Sequence, residues 1–386
     1  MRRLLTLSSV IFLINSCITI KDTVVDENHF LKNKANNKSI YFKNGDATFL
    51  NPFNINTNNW GLGNIKRILL VEFEPLERYN CLELQVVENN GLAGGLVILY
   101  YEDGKQADVY HTPDLKLYPE SYSNILNNAM VIPAVMQFSF MEENGKLMAS
   151  LKFTDRFNNK ISMNINEKLG EMQPCGLLAP IGGEAESPKF MTIVFMKYFK
   201  FLSQREEYID VRINEEPVIL VKLPVKINGV KGYQTKYSMD PVTVSWNLQT
   251  NQKLEKLQST GDIFKGDNYE IKLLNNSGHY EIAEFSGFQK DHAVRFAFSP
   301  AIPDLQCLAN NTIISGRFSL NIDKTMGIMA GNYIVEKQYN QTILTIHPTK
   351  GYSPVPGKAW MKKMTWHAEI INKQDHYFIH TKWTKK

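Results

Sequence analysis

The chain has 386 residues and a mass of 44.3 kDa, with 43% apolar and 11% aromatic residues. That is too apolar for a disordered chain and long enough for two or three domains. Its 43 basic and 39 acidic residues leave a net charge of +4, interspersed without a basic stripe, which excludes the electrostatic footprint of a nucleic-acid binder.

At the N-terminus, Arg2 and Arg3 precede an apolar run from Leu4 to Ile14, and Cys17 follows Ser16. A charged start, a short apolar stretch and a small residue before the break describe a secretory leader over residues 1–16. The run is too short for a membrane-crossing helix, which needs about 20 residues. Ile14-Asn15-Ser16-Cys17 resembles the lipobox of bacterial lipoproteins. The resemblance implies cleavage before Cys17, lipidation of its thiol and an exported protein held at the cell envelope through the lipid. Asn15 departs from the residue favoured at its position, and a plain secretory signal is the alternative. Residues 17–38 then form the lipidated cysteine and a polar tether rich in Asn, Lys and Asp. Cys81, Cys175 and Cys307 remain, with no CxxC pair and no metal-ligand spacing. At most one disulfide can form among them, and buried free thiols are the simpler expectation.

From Ser39 the text is a succession of short strands. Ile68–Phe73, Leu82–Val87 and Leu96–Tyr101 are apolar and β-branched, with Pro/Glu and Gly-rich punctuation between them. Gln106–Tyr110 continues the pattern until Pro113 breaks it. Tyr118–Ala134 reads as a long connection or a short helix. Met136–Ile165 is a three-strand meander. Phe138 and Phe140, then Leu147, Ala149, Leu151 and Phe153, then Ile161, Met163 and Ile165 alternate with polar residues around an Asn144-Gly145 turn. Met172–Pro188, with three prolines and three glycines, reads as a loop and as the boundary between domains. Phe190–Leu202 is apolar enough for a strand or a core helix.

Tyr269–Phe298 repeats the meander, with Gly278 in the place of Gly145 and Ile271, Leu273, Val294, Phe296 and Phe298 in phase. Two further matches, Tyr79 with Tyr208 and the turn at Pro113 with that at Pro241, occur in the same order, so the spacing points to an internal duplication. The expected fold is therefore all-β: two tandem antiparallel barrels or sandwiches, residues 39–185 and 186–386. Strands are expected in the tail at Thr312–Ile322, Asn332–Lys337, Thr342–His347, Met364–Ile371 and His376–Trp383.

No catalytic signature such as GxSxG, HExxH or a P-loop is present, and no cofactor is expected. Asp108, His111 and Asp114 in DVYHTPD could converge for acid–base work at a strand end, with Asp240 in the corresponding place of the second half. A solvated turn accounts for them more simply. His367, His376 and His380 could hold a metal across a hairpin, the last two on one strand face. An exposed strand face is the simpler reading. The tandem layout resembles the lipocalin-like proteins related to carotenoid 1,2-hydratases, in size and strand layout alone. That resemblance implies a hydrophobic ligand, lipid or terpenoid-like, bound within the β domains. The alternatives are a cofactor-free hydratase-like enzyme on such a substrate, or a structural module for protein contacts.

Overall fold

The structure, a computed structural model, describes residues 17–18, 31–56, 64–89, 91–103, 106–115, 129–143, 146–167, 175–180, 191–204, 207–224, 226–227, 229–246, 250–289, 292–321, 328–350 and 364–385. The first strands are short: β1 (Cys17–Ile18), β2 (Thr48–Leu50) and β3 (Ile55–Asn56). Then come β4 (Asn64–Leu76), β5 (Tyr79–Asn89), β6 (Leu92–Tyr101), β7 (Ala107–His111) and β8 (Met130–Pro133). The first meander is β9 (Gln137–Glu143), β10 (Lys146–Thr154) and β11 (Lys160–Glu167). It is followed by β12 (Cys175–Pro180), β13 (Met191–Ser203), β14 (Glu207–Ile213), β15 (Glu216–Pro217), β16 (Lys226–Ile227) and β17 (Gly232–Trp246). The rest of the chain supplies β18 (Asn251–Leu254), β19 (Lys256–Gln258), β20 (Ile263–Lys265), β21 (Tyr269–Asn276), β22 (His279–Gln289) and β23 (His292–Ile302). It ends with β24 (Ile313–Asn321), β25 (Ile328–Gln338), β26 (Gln341–Lys350), β27 (Met364–Lys373) and β28 (His376–Lys385). One 3-10 turn, Lys38–Ile40, is the only helical element among the described residues.

The expected all-β class is what the chain forms. A nine-stranded sheet runs β12-β13-β17-β4-β5-β6-β7-β8, with β3 added beside β17. A five-stranded sheet runs β15-β14-β11-β10-β9. Period-two alternation gives each sheet one apolar face, and the two faces bury each other. Leu147, Ala149, Leu151 and Phe153 of β10 and Ile161, Met163 and Ile165 of β11 share one core with Leu69, Leu84, Leu99, Tyr110 and Tyr237 of the larger sheet. At one end of this sandwich the core admits an ion pair. Lys200 Nζ of β13 meets Glu167 Oε2 of β11 at 2.5 Å, both nearly inaccessible, and the same oxygen accepts the backbone N–H of Leu147 at 2.9 Å.

The second assembly is a ten-stranded sheet, β18-β28-β27-β26-β25-β24-β23-β22-β21-β20. Two-residue turns with left-handed backbone close its hairpins at Ser277-Gly278 and Gln374-Asp375, as tight antiparallel connections require. Its apolar face holds Phe285, Phe296, Phe298, Phe318, Trp366 and Trp383 in a single core. The N-terminal segment covers that face. Phe49 and Leu50 of β2 and Phe53 lie in the same core. The Phe53 ring sits 5.1 Å from Phe298, 5.3 Å from Phe296, 5.8 Å from Trp366 and 6.0 Å from Phe285. The segment crosses the Ser277-Gly278 turn so closely that a Cβ on Gly45 would lie 2.1 Å from the Gly278 carbonyl.

Three expectations are corrected. Among the described residues no sheet closes into a barrel. β18 and β20 stay at opposite edges because β19, the segment between them, gives its hydrogen bonds to β2 instead. The chain is not partitioned at residue 185, since β13 and β17 pair with each other and β17 with β4, so residues 191–246 belong to the sheet of residues 64–133. Met172–Pro188 is not all loop: Cys175–Pro180 pairs with β13, whose own strand form settles the ambiguous apolar run at Phe190–Leu202. The meanders do form at both places, but in sheets of five and ten strands with different neighbours. The Asn144-Gly145 turn, residues 118–128 and the leader, residues 1–16, lie outside the described residues.

Two outcomes follow from the packing. Phe53→Ala should lower the unfolding free energy by about 3–5 kcal/mol in urea denaturation, because the hole left is walled by rings of several strands. Lys200→Met should cost about 3–5 kcal/mol by stranding the Glu167 carboxylate, while Lys200→Met with Glu167→Gln should recover most of that loss. Additive costs in the double variant would show that the two groups do not act as a pair.

Candidate functional site

Strand β7 is buried along its whole length, and alternation divides its residues between two faces. Tyr110 and Asp108 look toward the five-stranded sheet, where Tyr110 joins the sandwich core. Ala107 and Val109 join a smaller core on the opposite face, and His111 follows their phase. Asp108 and His111 therefore do not converge. His111 Nδ1 lies 2.8 Å from the Thr112 carbonyl, and Asp114 is exposed in the turn closed by Leu115 N–H on Thr112 O. Asp240 lies in β17, and its side chain falls outside the described residues.

Asp108 has a different partner. Its Oδ2 accepts from Arg156 Nε at 2.9 Å, from the Tyr101 hydroxyl at 3.0 Å and from the Tyr110 hydroxyl at 3.4 Å. Arg156 also donates to the Tyr101 oxygen at 2.8 Å, and its backbone N–H to the Tyr110 oxygen at 3.1 Å. What aims Arg156 is the turn that carries it. Asp155 Oδ1 accepts the N–H groups of Phe157 and Asn159, both at 2.8 Å, and Oδ2 accepts the Tyr79 hydroxyl at 2.9 Å. Asn158 takes a left-handed backbone that Asn tolerates well. Burial pushes the phenols of Tyr79, Tyr101 and Tyr110 above their ordinary range, so all three stay protonated and act as donors. The polar groups of this cluster are hydrogen-bonded to one another.

The cluster forms the end of a groove of about 700 Å³ between the β8–β9 connection and the β10–β11 hairpin. Ile132, Pro133, Val135 and Phe153 supply apolar wall. Lys152 and Lys160, both exposed, stand on the β10 and β11 side, with Arg156 between them and the Asp108 cluster and Glu215 also lining the groove. Among the described residues neither lysine has an ion-pair partner within 4.0 Å.

The three histidines named from the sequence do not gather. Across the β27–β28 ladder His367 faces Lys382, His380 faces Glu369 and His376 faces Lys373. The thiol and imidazole that do meet were not foreseen. His279, the first residue of β22, has Nδ1 at 2.9 Å from Asp304 Oδ2, and Cys307 lies beside them, all three buried. Their potential ligand atoms lie within 4.8 Å of one another. Tyr41 stacks flat on the His279 ring at 3.8 Å and donates to Glu281 Oε1 at 2.6 Å. Glu281 also accepts from Asn276 Nδ2 at 2.7 Å and from the Asn36 backbone at 2.9 Å. Burial and the nearby Asp304 push the Cys307 thiol up to about 12, which makes it a donor and not a nucleophile near neutral pH. Asp304 and Cys307 were visible as a local D-x-x-C spacing, but His279 reaches them only through the fold.

Another buried acid, Glu83 on β5, accepts from Gln85 Nε2 at 2.5 Å and the Tyr100 hydroxyl at 2.7 Å. Burial pushes its carboxyl up. An acid raised in the folded state binds its proton more tightly there than in the unfolded chain. Its contribution is therefore full below the ordinary carboxylate value and is lost as pH rises through the raised one. Glu83→Gln should remove that decline, seen as a shrinking wild-type advantage over the variant in urea melts above the ordinary carboxylate range. Parallel pH profiles would show that Glu83 does not titrate there.

Comparison of the chain with protein-family models, with curated proteins and with solved structures finds no match.

Proposed function

We propose that the protein is an exported lipoprotein of the bacterial envelope, anchored at Cys17, and that its sandwich binds an amphipathic anion in the groove beside Asp108 and Arg156. The ligand class is an apolar chain ending in a carboxylate or phosphate. The observation that carries this reading is the pairing of an apolar wall, Ile132, Pro133, Val135 and Phe153, with Lys152 and Lys160, which have no ion-pair partner among the described residues, around one open groove. Export and anchoring rest on the Arg2-Arg3 start, the apolar run and the Cys17 context. The ligand is hydrophobic as expected from the lipocalin-like layout, but its seat is the surface, because the interior of the ten-stranded sheet is filled by Phe49, Leu50 and Phe53. Binding without turnover is the better reading over a hydratase: the Asp108 carboxylate is occupied by one guanidinium and two phenols. The shared meanders support a duplicated origin, and the unequal sheets count against a simple copy.

Titration calorimetry with oleate and with a neutral monoacylglycerol of the same chain length tests this. Oleate should bind at least about tenfold more tightly, and Lys152→Glu with Lys160→Glu should remove about that factor, since each exposed charge contributes up to about 1 kcal/mol. Equal affinity for the two lipids, unchanged by the lysine reversals, would discard the groove as an anion site.

A further inference from the structure

We infer that His279, Asp304 and Cys307 form a structural site for one divalent transition metal ion of the zinc class, which staples the N-terminal segment to the ten-stranded sheet. The donors are an imidazole nitrogen, a carboxylate oxygen and a sulfur, the mixture that suits zinc. With metal–ligand bonds of about 2.0–2.3 Å, donors on a tetrahedron stand about 3.4–3.6 Å apart. The three atoms here already lie within 4.8 Å of one another, with His279 and Asp304 at 2.9 Å, so small side-chain rotations bring them to that spacing.

Charge points the same way. A thiolate and a carboxylate balance a divalent ion, so the loaded site would be neutral inside a core where unpaired charge is costly. The supporting shell is in place. Asp304 Oδ1 is held by the Gln306 N–H at 3.1 Å, and the His279 ring is fixed in orientation by Tyr41 stacked upon it. The location gives the role. Cys307 O accepts the Phe42 N–H at 3.0 Å, and Ala309 donates to Ile40 O at 2.8 Å, so the turn carrying two ligands is the one the N-terminal segment docks on. Binding forms the metal–sulfur bond and releases the thiol proton to solvent, while Asp304 exchanges its His279 and thiol partners for the ion.

The test uses the full-length protein purified without chelator, then stripped and titrated with Zn²⁺ or Co²⁺. One equivalent should bind, and the Co²⁺ form should show thiolate-to-metal charge-transfer absorption together with the visible bands of a four-coordinate ion, three ligands from the protein and a water as the fourth. Cys307→Ser should abolish the charge-transfer band, and Cys81→Ser should leave it. Asp304→Asn, which keeps the side-chain volume, should weaken binding at least about tenfold. A second measurement reads stability: Zn²⁺ should raise the melting temperature of wild type and leave that of Cys307→Ser unchanged. Failure to bind one equivalent, a charge-transfer band that survives Cys307→Ser, or a melting temperature of wild type unmoved by Zn²⁺ would overturn the assignment. None of these readouts depends on ligand binding in the groove.

Discussion

An open antiparallel sheet with one continuous apolar face cannot stand alone in water, and everything in the second half of this protein depends on how that face is covered. The cover is borrowed from the other end of the chain. Residues 34–53 run across the sheet, pinned by the Ala301 N–H on Lys34 O at 2.8 Å and the Ala47 N–H on Gly278 O at 3.2 Å, and they seat Phe49, Leu50 and Phe53 among the core rings. With the interior so filled, the sheet needs no closure, and β19 is free to pair with β2. The polar knot of Tyr41, His279, Glu281, Asn36 and Asp304 lies where this cover is fastened. Its burial is tolerable because each group named is hydrogen-bonded to another.

The first half solves the same problem with two facing sheets and uses charge at the ends. The β10–β11 hairpin is tied at one end through Glu167 to Lys200 and at the other through its turn, where Arg156 reaches Asp108. The two pairs differ in exposure. Lys200 and Glu167 are both shut off from water, whereas the Arg156 side chain is 32% exposed and looks toward the groove. An ion pair open to solvent on one side is weakly stabilising but holds a cation at a fixed point on a surface. That fixed cation, with the exposed Lys152 and Lys160 along the same groove, is what gives the groove its polarity.

Local alternation made much of this readable from the sequence. Phe138 and Phe140, the run from Leu147 to Phe153, and Ile271, Leu273, Val294, Phe296 and Phe298 all turn to a core, because a strand's two faces are set by its own residues. Which strand lies beside which was not readable, because pairing is non-local: β13 and β17 joined the earlier sheet despite the prolines and glycines before them. The same limit governed the sites. Asp108 was singled out near a strand end with a solvated turn as the simpler reading, yet it is buried, and its partner comes from the turn at Arg156, 48 residues on. His279 and Cys307 looked unremarkable in the text, since what joins them is the hairpin that returns the chain from β22 through β23.

The N-terminal cover also sets a timetable. Asn36 and its acceptor Glu281 are 245 residues apart, so the segment leaves the ribosome long before its seat exists. At about 5–20 residues per second the wait is roughly 10–50 s. Entropy adds little to the delay, since the cost of closing a loop rises only with the logarithm of its length. During that interval Phe49, Leu50 and Phe53 are adhesive, and any chain that stops short of the last strands leaves them so. The arrangement thereby works as a proof of completeness: the earliest residues of the core are buried only when the latest have arrived, and a truncated product is marked by its own unburied N-terminal rings.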